Sequence, residues 1–494
     1  MSSLQLISIS YFVVFCVVLL GVSIWSSKKK AASNQDEATE QFLAGKSTPV
    51  LVLAMSYCAS CVSAGSFMGD PGMVSTVGYP YYWFAVFLVP GCVLPGLFII
   101  RKMRLQCERL NCMTSIEYIG RRYDSSFLQM FIGIVTVIAF SMMMISQFKG
   151  AAVLLQKFTG LPFRIGLIVI GIAIIVCTVV GGMRSVAYTD CLQGCMMVVL
   201  CIVVISVGLV SAGGFSGIES ALAVSHPEML EIVQPGLWDD CGVLGVIGFA
   251  LFSFFILFSQ PYLTSRYMAM KDVTKKSIGK FLLITLFAGF LFNLMFINGM
   301  SGRVLFPDVA ADEISVTLTS TLLPPVVSSA MMLGFFAAII STATSVLLVI
   351  GQGAGRDIYA KINKNASAKS QLLVCNITCV LVVLIVIGFN IVKPPEFLQI
   401  FLLLGQTGVG AAVCMPLFCG TLWKKSSKEG AIASAIAGAG STLWLSQLPV
   451  GLGVQLGAPV LFAAAAMFIV TFVVNRTKGV DPVLLERAKI GNNE

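Results

Sequence analysis

Stretches of mainly apolar residues alternate with short polar segments along almost the whole chain. Their approximate limits are 6–26, 50–76, 80–100, 127–153, 163–182, 190–212, 242–264, 280–302, 321–350, 371–391, 396–421, 430–448 and 454–475. A helix crossing a hydrocarbon core of about 30 Å needs about 20 such residues. The pattern therefore predicts an all-α polytopic membrane protein with about thirteen transmembrane helices. No polar segment is long enough for a separate soluble domain, so residues 1–494 are expected to form a single transmembrane domain. The first apolar stretch has no basic flank before it and no clear small-residue cleavage site, and it reads as a span rather than a signal peptide.

Composition supports lipid as the main solvent. Hydrophobic residues make up 57% and charged residues 11% of the chain, and mean hydropathy is +0.92, whereas soluble domains are about a quarter charged. A net charge of +9 would suit nucleic acid if the charges shared a face, but they lie between the apolar runs. With the N-terminus outside, all of the 32 Lys and Arg residues fall on the inner side except Lys149, Lys157, Arg164, Arg303 and Lys393. The longest outer segment, roughly 213–241, carries Glu219, Glu228, Glu231, Asp239 and Asp240 and no Lys or Arg. Basic residues collect on the cytoplasmic side, which predicts an integral plasma (cytoplasmic or inner) membrane protein with its N-terminus outside and its C-terminus in the cytoplasm. The expected partners are the bilayer and small solutes, with no nucleic acid and no obligate protein.

Candidate chemistry is sparse. Most of the fifteen Cys lie in or beside apolar runs and read as small buried residues. The single histidine, His226, lies in a polar loop. A membrane enzyme would need a nucleophile–base pair, a metal cluster or a cofactor motif, and none appears. A passive channel would show a repeated filter or a ring of charge, and neither is present.

Two spans differ from lipid-facing helices. Residues 54–72 of the second are dense in Ser, Gly and Cys and end in Gly69, Asp70, Pro71 and Gly72. Proline removes a helical donor and frees a carbonyl, and freed backbone is tolerated in a membrane only inside protein or beside a cavity. The alternative is tight packing through small residues. In the ninth span Ala338, Ser341, Thr342 and Ser345 share a helical face. A row of hydroxyls beside freed carbonyls makes a neutral oxygen site, which by extension from Ca²⁺ and Mg²⁺ suits a hard cation, here a monovalent one. The alternative is hydroxyls bonding back to their own helix. Asp190, at the start of the sixth run, is either a helix-end charge or a functional carboxylate. Lys149, towards the outer end of the fourth, either snorkels or pairs with Asp70 or a solute carboxylate.

At Ser63–Gly72, Gly181–Gln193, Ala337–Ser345 and the Lys393–Glu396 turn the chain resembles the sodium:solute symporter family, over nearly its whole length. The pantothenate branch is the most similar, with a comparable Ser-Ala-x-Ser-Phe-x-Gly-x-Pro-Gly run. The resemblance implies a LeuT-type core at about 50–421, built of two inverted five-helix repeats (spans 2–6 and 7–11), with peripheral helices at 6–26, 430–448 and 454–475. It implies sodium-coupled symport of pantothenate or another small carboxylate or amino-acid-like solute, a proton-coupled carrier of the same fold being the alternative. The implied sodium ligands are Ala59, Val62, Ala338, Ser341 and Thr342, and a second sodium would use Thr344, Ser345 and Asp190. Implied solute contacts are Ser63, Ser66, Phe67, Tyr82, Gln260 and Gln406. Two positions depart from the branches: Cys61 stands where the proline branch has aspartate, and Asp70 where the pantothenate branch has glycine.

Overall fold

The computed structural model describes residues 3–31, 37–394 and 398–489. Of the expected spans, eight are single helices long and apolar enough to cross a membrane. Three more are helix pairs bent at a short break: Val50–Cys61 with Gly65–Val77 (57°), Tyr79–Val93 with Gly96–Arg109 (41°), and Val243–Leu257 with Pro261–Met268 (46°). The two remaining expected spans are also helical. Phe163–Val179 is short, and Lys428–Leu445 is rich in Ala and Gly.

Span 9, Pro325–Ile362, sits at the centre, with 94% of its most apolar window buried inside the protein against 28% for Gln5–Ser26 and for Ala368–Val392. Up to Gly351 its sequence is uniformly apolar or hydroxyl-bearing, which suits a helix surrounded by other helices. Spans 8 and 10 instead turn large side chains outwards, including Leu283, Phe287, Phe290, Leu384 and Ile385.

The break in span 2 lies earlier than the Asp70–Pro71 step suggested. Val62 is extended (φ −94°, ψ 131°), and the second half resumes as a π turn over Gly65–Gly69. Asp70, Pro71 and Gly72 are helical. The π turn ends just before the Asp70–Pro71 step, and such turns are frequent at functional positions. Span 7 breaks in the corresponding place of the second repeat, between Leu257 and Pro261, where the signal is Ser259-Gln260-Pro261.

Span 6 begins earlier than the hydropathy suggested. Helix runs from Phe163 to Ser211 with one non-helical residue, Gly182 (φ 60°, ψ −162°), so the sixth span starts at Gly181. Asp190 therefore lies about 13 Å along the helix and is fully buried, which removes the helix-end reading. Gly182 occupies a backbone region open essentially to glycine alone, and an added Cβ would stand 2.5 Å from Gln41 Oε1. Gly182→Ala is expected to cost about 1–3 kcal/mol, read as a lower thermal unfolding midpoint in detergent. An unchanged midpoint would mean that the backbone relaxes there freely.

Candidate functional site

The break in span 2 faces the hydroxyl row of span 9. Ser341 Oγ donates to the carbonyl of Ala59 at 2.8 Å and lies 3.1 Å from that of Ala338. Thr342 Oγ1 lies 2.7 Å from Val62 O and 3.2 Å from both Ser60 O and Ala338 O. Both side chains are fully buried. The five residues expected to hold a cation thus bring three carbonyls and two hydroxyls together, none carrying a charge. The unwound segment is held from two sides: Gln147 Oε1 on span 4 accepts from Ala64 N at 3.2 Å, and Ser63 Oγ accepts from Gly65 N at 3.1 Å. Gln147 was not singled out in the sequence, because its role exists only opposite a break.

The expected second cation position already contains a cation. Arg266, read from the sequence as a cytoplasmic loop residue, is 1% exposed and pairs with Asp190 (Nη2–Oδ2 3.0 Å). The same Nη2 donates to Ser345 Oγ at 2.6 Å and to Ser60 Oγ at 2.8 Å, and Nε donates to Ser56 Oγ at 3.2 Å. Asp190 Oδ2 also accepts from Ser56 at 2.7 Å and Ser60 at 3.1 Å. Spans 2, 6, 7 and 9 meet at this one guanidinium. Thr344 bonds back to its own helix, at Ile340 O (2.8 Å) and Ser341 O (3.2 Å). Asp190 and Ser345 therefore both bond to Arg266, and Thr344 is not part of that cluster.

A cavity adjoins the break between spans 2, 3, 7, 8 and 11. Of the expected solute contacts, Ser66 and Gln406 line it. The others serve the scaffold. Ser63 caps the helix after the break, and Phe67 packs edge-on against Phe292 and Phe335. Tyr82 meets Tyr79 and Phe296, and Gln260 ties the break of span 7 to Gln406 O at 2.8 Å. Tyr57, Asn293 and Gln399 line the cavity and were missed, since single polar residues inside apolar runs carry no periodic signal. Cys58 and Cys61, at Cys-x-x-Cys spacing, also line it with Cys92, and all three thiols are free.

Asp70 and Lys149 do not pair. Lys149 Nζ lies 3.3 Å from Asp312 Oδ2, while Asp70 Oδ1 accepts from Tyr81 OH at 3.0 Å and from the amide of Gln399. The second half of span 2 lies close against span 11, where a Cβ on Gly65 would fall 2.1 Å from Gln399 Oε1. That contact places Gln399 rather than Lys149 beside Asp70.

The model of the sodium:solute symporter family matches residues 41–438. The sodium/pantothenate symporter of Escherichia coli K12 is 28% identical over 88% of this chain and 89% of its own. The sodium/proline symporter of the same organism is 25% identical over 88% and 87%. Among solved structures, a Na⁺-coupled sialic acid symporter in a substrate-bound outward-open state superposes with a TM-score of 0.78 at 17% identity, covering 94% of this chain and 98% of that one. The transporter Mhp1 of the nucleobase-cation-symport-1 family, in a closed conformation, reaches 0.54 at 10% identity, over 91% and 98%. These two show the LeuT-type fold, with its paired broken helices at spans 2 and 7. By the match over most of its length, the chain belongs to the sodium:solute symporter family and is a sodium-coupled symporter of a small organic solute.

Proposed function

We propose that this carrier moves one sodium ion with one small carboxylate or amino-acid-like solute. The ion is held by the carbonyls of Ala59, Val62 and Ala338 and the hydroxyls of Ser341 and Thr342. The solute occupies the neighbouring cavity, against Ser66 and Gln406. The observation that carries this reading is the convergence of five neutral oxygens at a helix break, a donor set suited to a hard monovalent cation. When the ion enters, the two hydroxyls turn their lone pairs towards it and their present carbonyl partners become fellow ligands. The names of the pantothenate and proline relatives agree with the solute class. The distribution of Lys and Arg supports an inner-membrane carrier with its N-terminus outside and its C-terminus inside.

Arg266 supports a stoichiometry of one. A fixed guanidinium on Asp190, Ser345 and Ser60 repels a second cation and uses the oxygens it would need. With a neutral solute, one charge crosses per cycle. A potential of about 100 mV then supplies roughly 2.3 kcal/mol, and a tenfold sodium gradient about 1.4 kcal/mol more. The total of about 3.7 kcal/mol supports accumulation of several hundredfold.

In proteoliposomes at fixed pH, uptake is expected to require sodium with a Hill coefficient of one and to carry one charge per neutral solute. A Hill coefficient near two would overturn the single-ion reading. Uptake driven by a proton gradient without sodium would overturn the coupling itself.

A further inference from the structure

We propose that the transported solute carries a protonated nitrogen and that Asp70 is the residue that selects it. The inference rests on reading the cavity as the solute site and narrows the solute class proposed above.

Asp70 lines the cavity and is 1% exposed. Its Oδ1 accepts from Tyr81 and Gln399, whereas Oδ2 is buried without a hydrogen-bond partner. Beside it Gln399 turns its nitrogen to the carboxylate, the only orientation in which the amide attracts rather than repels Asp70. This leaves Gln399 Oε1 buried without a donor too. The other amides of the cavity direct their nitrogens into the protein: Asn293 Nδ2 donates to Ala85 O at 2.6 Å, and Gln406 Nε2 to Tyr262 OH at 2.9 Å. The cavity therefore keeps two orphaned acceptors at its Asp70 end.

The charge balance agrees. Among the described residues lining the cavity there is no Lys, Arg or His, and none forms an ion pair with Asp70. The one basic side chain that the sequence offered as its counterion, Lys149, is engaged by Asp312. A buried carboxylate with no fixed counterion is costly. A solute bringing only a carboxylate would meet like charge and find acceptors facing acceptors. A solute with an ammonium or secondary aminium group supplies both the counter-charge and the N–H donors that Asp70 Oδ2 and Gln399 Oε1 lack. Its carboxylate, if present, would lie away from this end, towards Ser66 and the sodium ligands. Specificity of this kind arises because a site built for a donor penalises analogues that cannot fill it.

The test uses purified full-length protein in proteoliposomes. Sodium binding without solute is followed first by intrinsic fluorescence. Proline, glycine betaine and pantothenate are then used as probes, being a zwitterion with N–H donors, a zwitterion without them, and a monoanion. The expected result is sodium-dependent binding in the order proline, glycine betaine, pantothenate, with the monoanion at least tenfold weaker than proline. Asp70→Asn is expected to weaken proline at least tenfold and narrow its margin over pantothenate, while half-saturation of the sodium signal stays unchanged. That unchanged signal shows the variant to be folded and its ion site intact. Asp70→Glu, which keeps the charge, is expected to recover part of the affinity. Preferential binding of pantothenate, binding of none of the amine-bearing probes, or a proline affinity in Asp70→Asn within twofold of the wild type would each overturn the inference. A wild-type protein without any sodium signal would instead sink the reading of the ion site on which it rests.

Discussion

Replacing Ser341 or Thr342 by alanine is expected to raise the sodium concentration for half-maximal uptake by roughly 5- to 150-fold, the equivalent of about 1–3 kcal/mol for a buried partner left unsatisfied. Each variant removes one of the five oxygens around the break, and a span-2 carbonyl, Ala59 O for Ser341 and Val62 O for Thr342, loses its hydroxyl partner. Alanine is the best helix former, so span 9 keeps its backbone and membrane insertion is unaffected. Two controls separate ligation from packing. Thr342→Ser retains the oxygen and should keep most of the affinity. Thr344→Ala removes a hydroxyl that only bonds back to its own helix, and it should leave the sodium dependence alone. Sodium titrations of uptake at fixed pH make the comparison. Equal affinities in wild type, Ser341→Ala and Thr342→Ala would remove the site.

The second large effect is expected at Arg266. Arg266→Leu leaves Asp190 buried and uncompensated, and breaking such a pair from one side costs about 3–5 kcal/mol. Asp190→Leu strands the guanidinium among Ser56, Ser60 and Ser345 and should cost about as much. The double variant strands neither charge and should be much more stable than the sum of the two losses implies, since replacing a whole buried pair by apolar groups is often nearly neutral. Thermal unfolding in detergent gives the three midpoints and hence the coupling between the two residues. Losses that simply add would mean that the pair contributes no mutual stabilisation.

How much of this was legible in the sequence differs from feature to feature. The spans were, because hydropathy reports the lipid-facing surface, which is large. Their ends were not, where the buried surface is polar. Asp190 and Arg266 looked like the borders of their spans because each is charged, yet each lies inside its helix and is neutralised by the other across 76 residues of chain. No local window contains both. The same blindness produced the second sodium site, since Ser345 and Asp190 are well placed for a cation and the sequence could not show that one was already fixed there. The hydroxyl face of span 9 was legible because helical periodicity brings Ala338, Ser341 and Thr342 together without tertiary information. Its alternative, back-bonding to the same helix, is the whole of what Thr344 does, whereas Ser341 and Thr342 reach Ala338 O on their own helix and the carbonyls of span 2 as well. The break in span 2 was expected at Pro71, the residue with a missing donor, but it lies at Val62, ahead of the π turn at Gly65–Gly69. Lys149 and Asp70 looked like a pair because few charges lie on that side. Asp312 and Gln399, both from distant spans or loops, take the two partners apart.

Ser60 belongs to both polar networks. Its carbonyl lies 3.2 Å from Thr342 Oγ1 at the ion site, and its hydroxyl accepts from Arg266 and donates to Asp190. The buried ion pair is therefore an immediate neighbour of the cation position: one residue of span 2 borders both, and span 9 joins them a second time through Thr342 and Ser345, one helical turn apart.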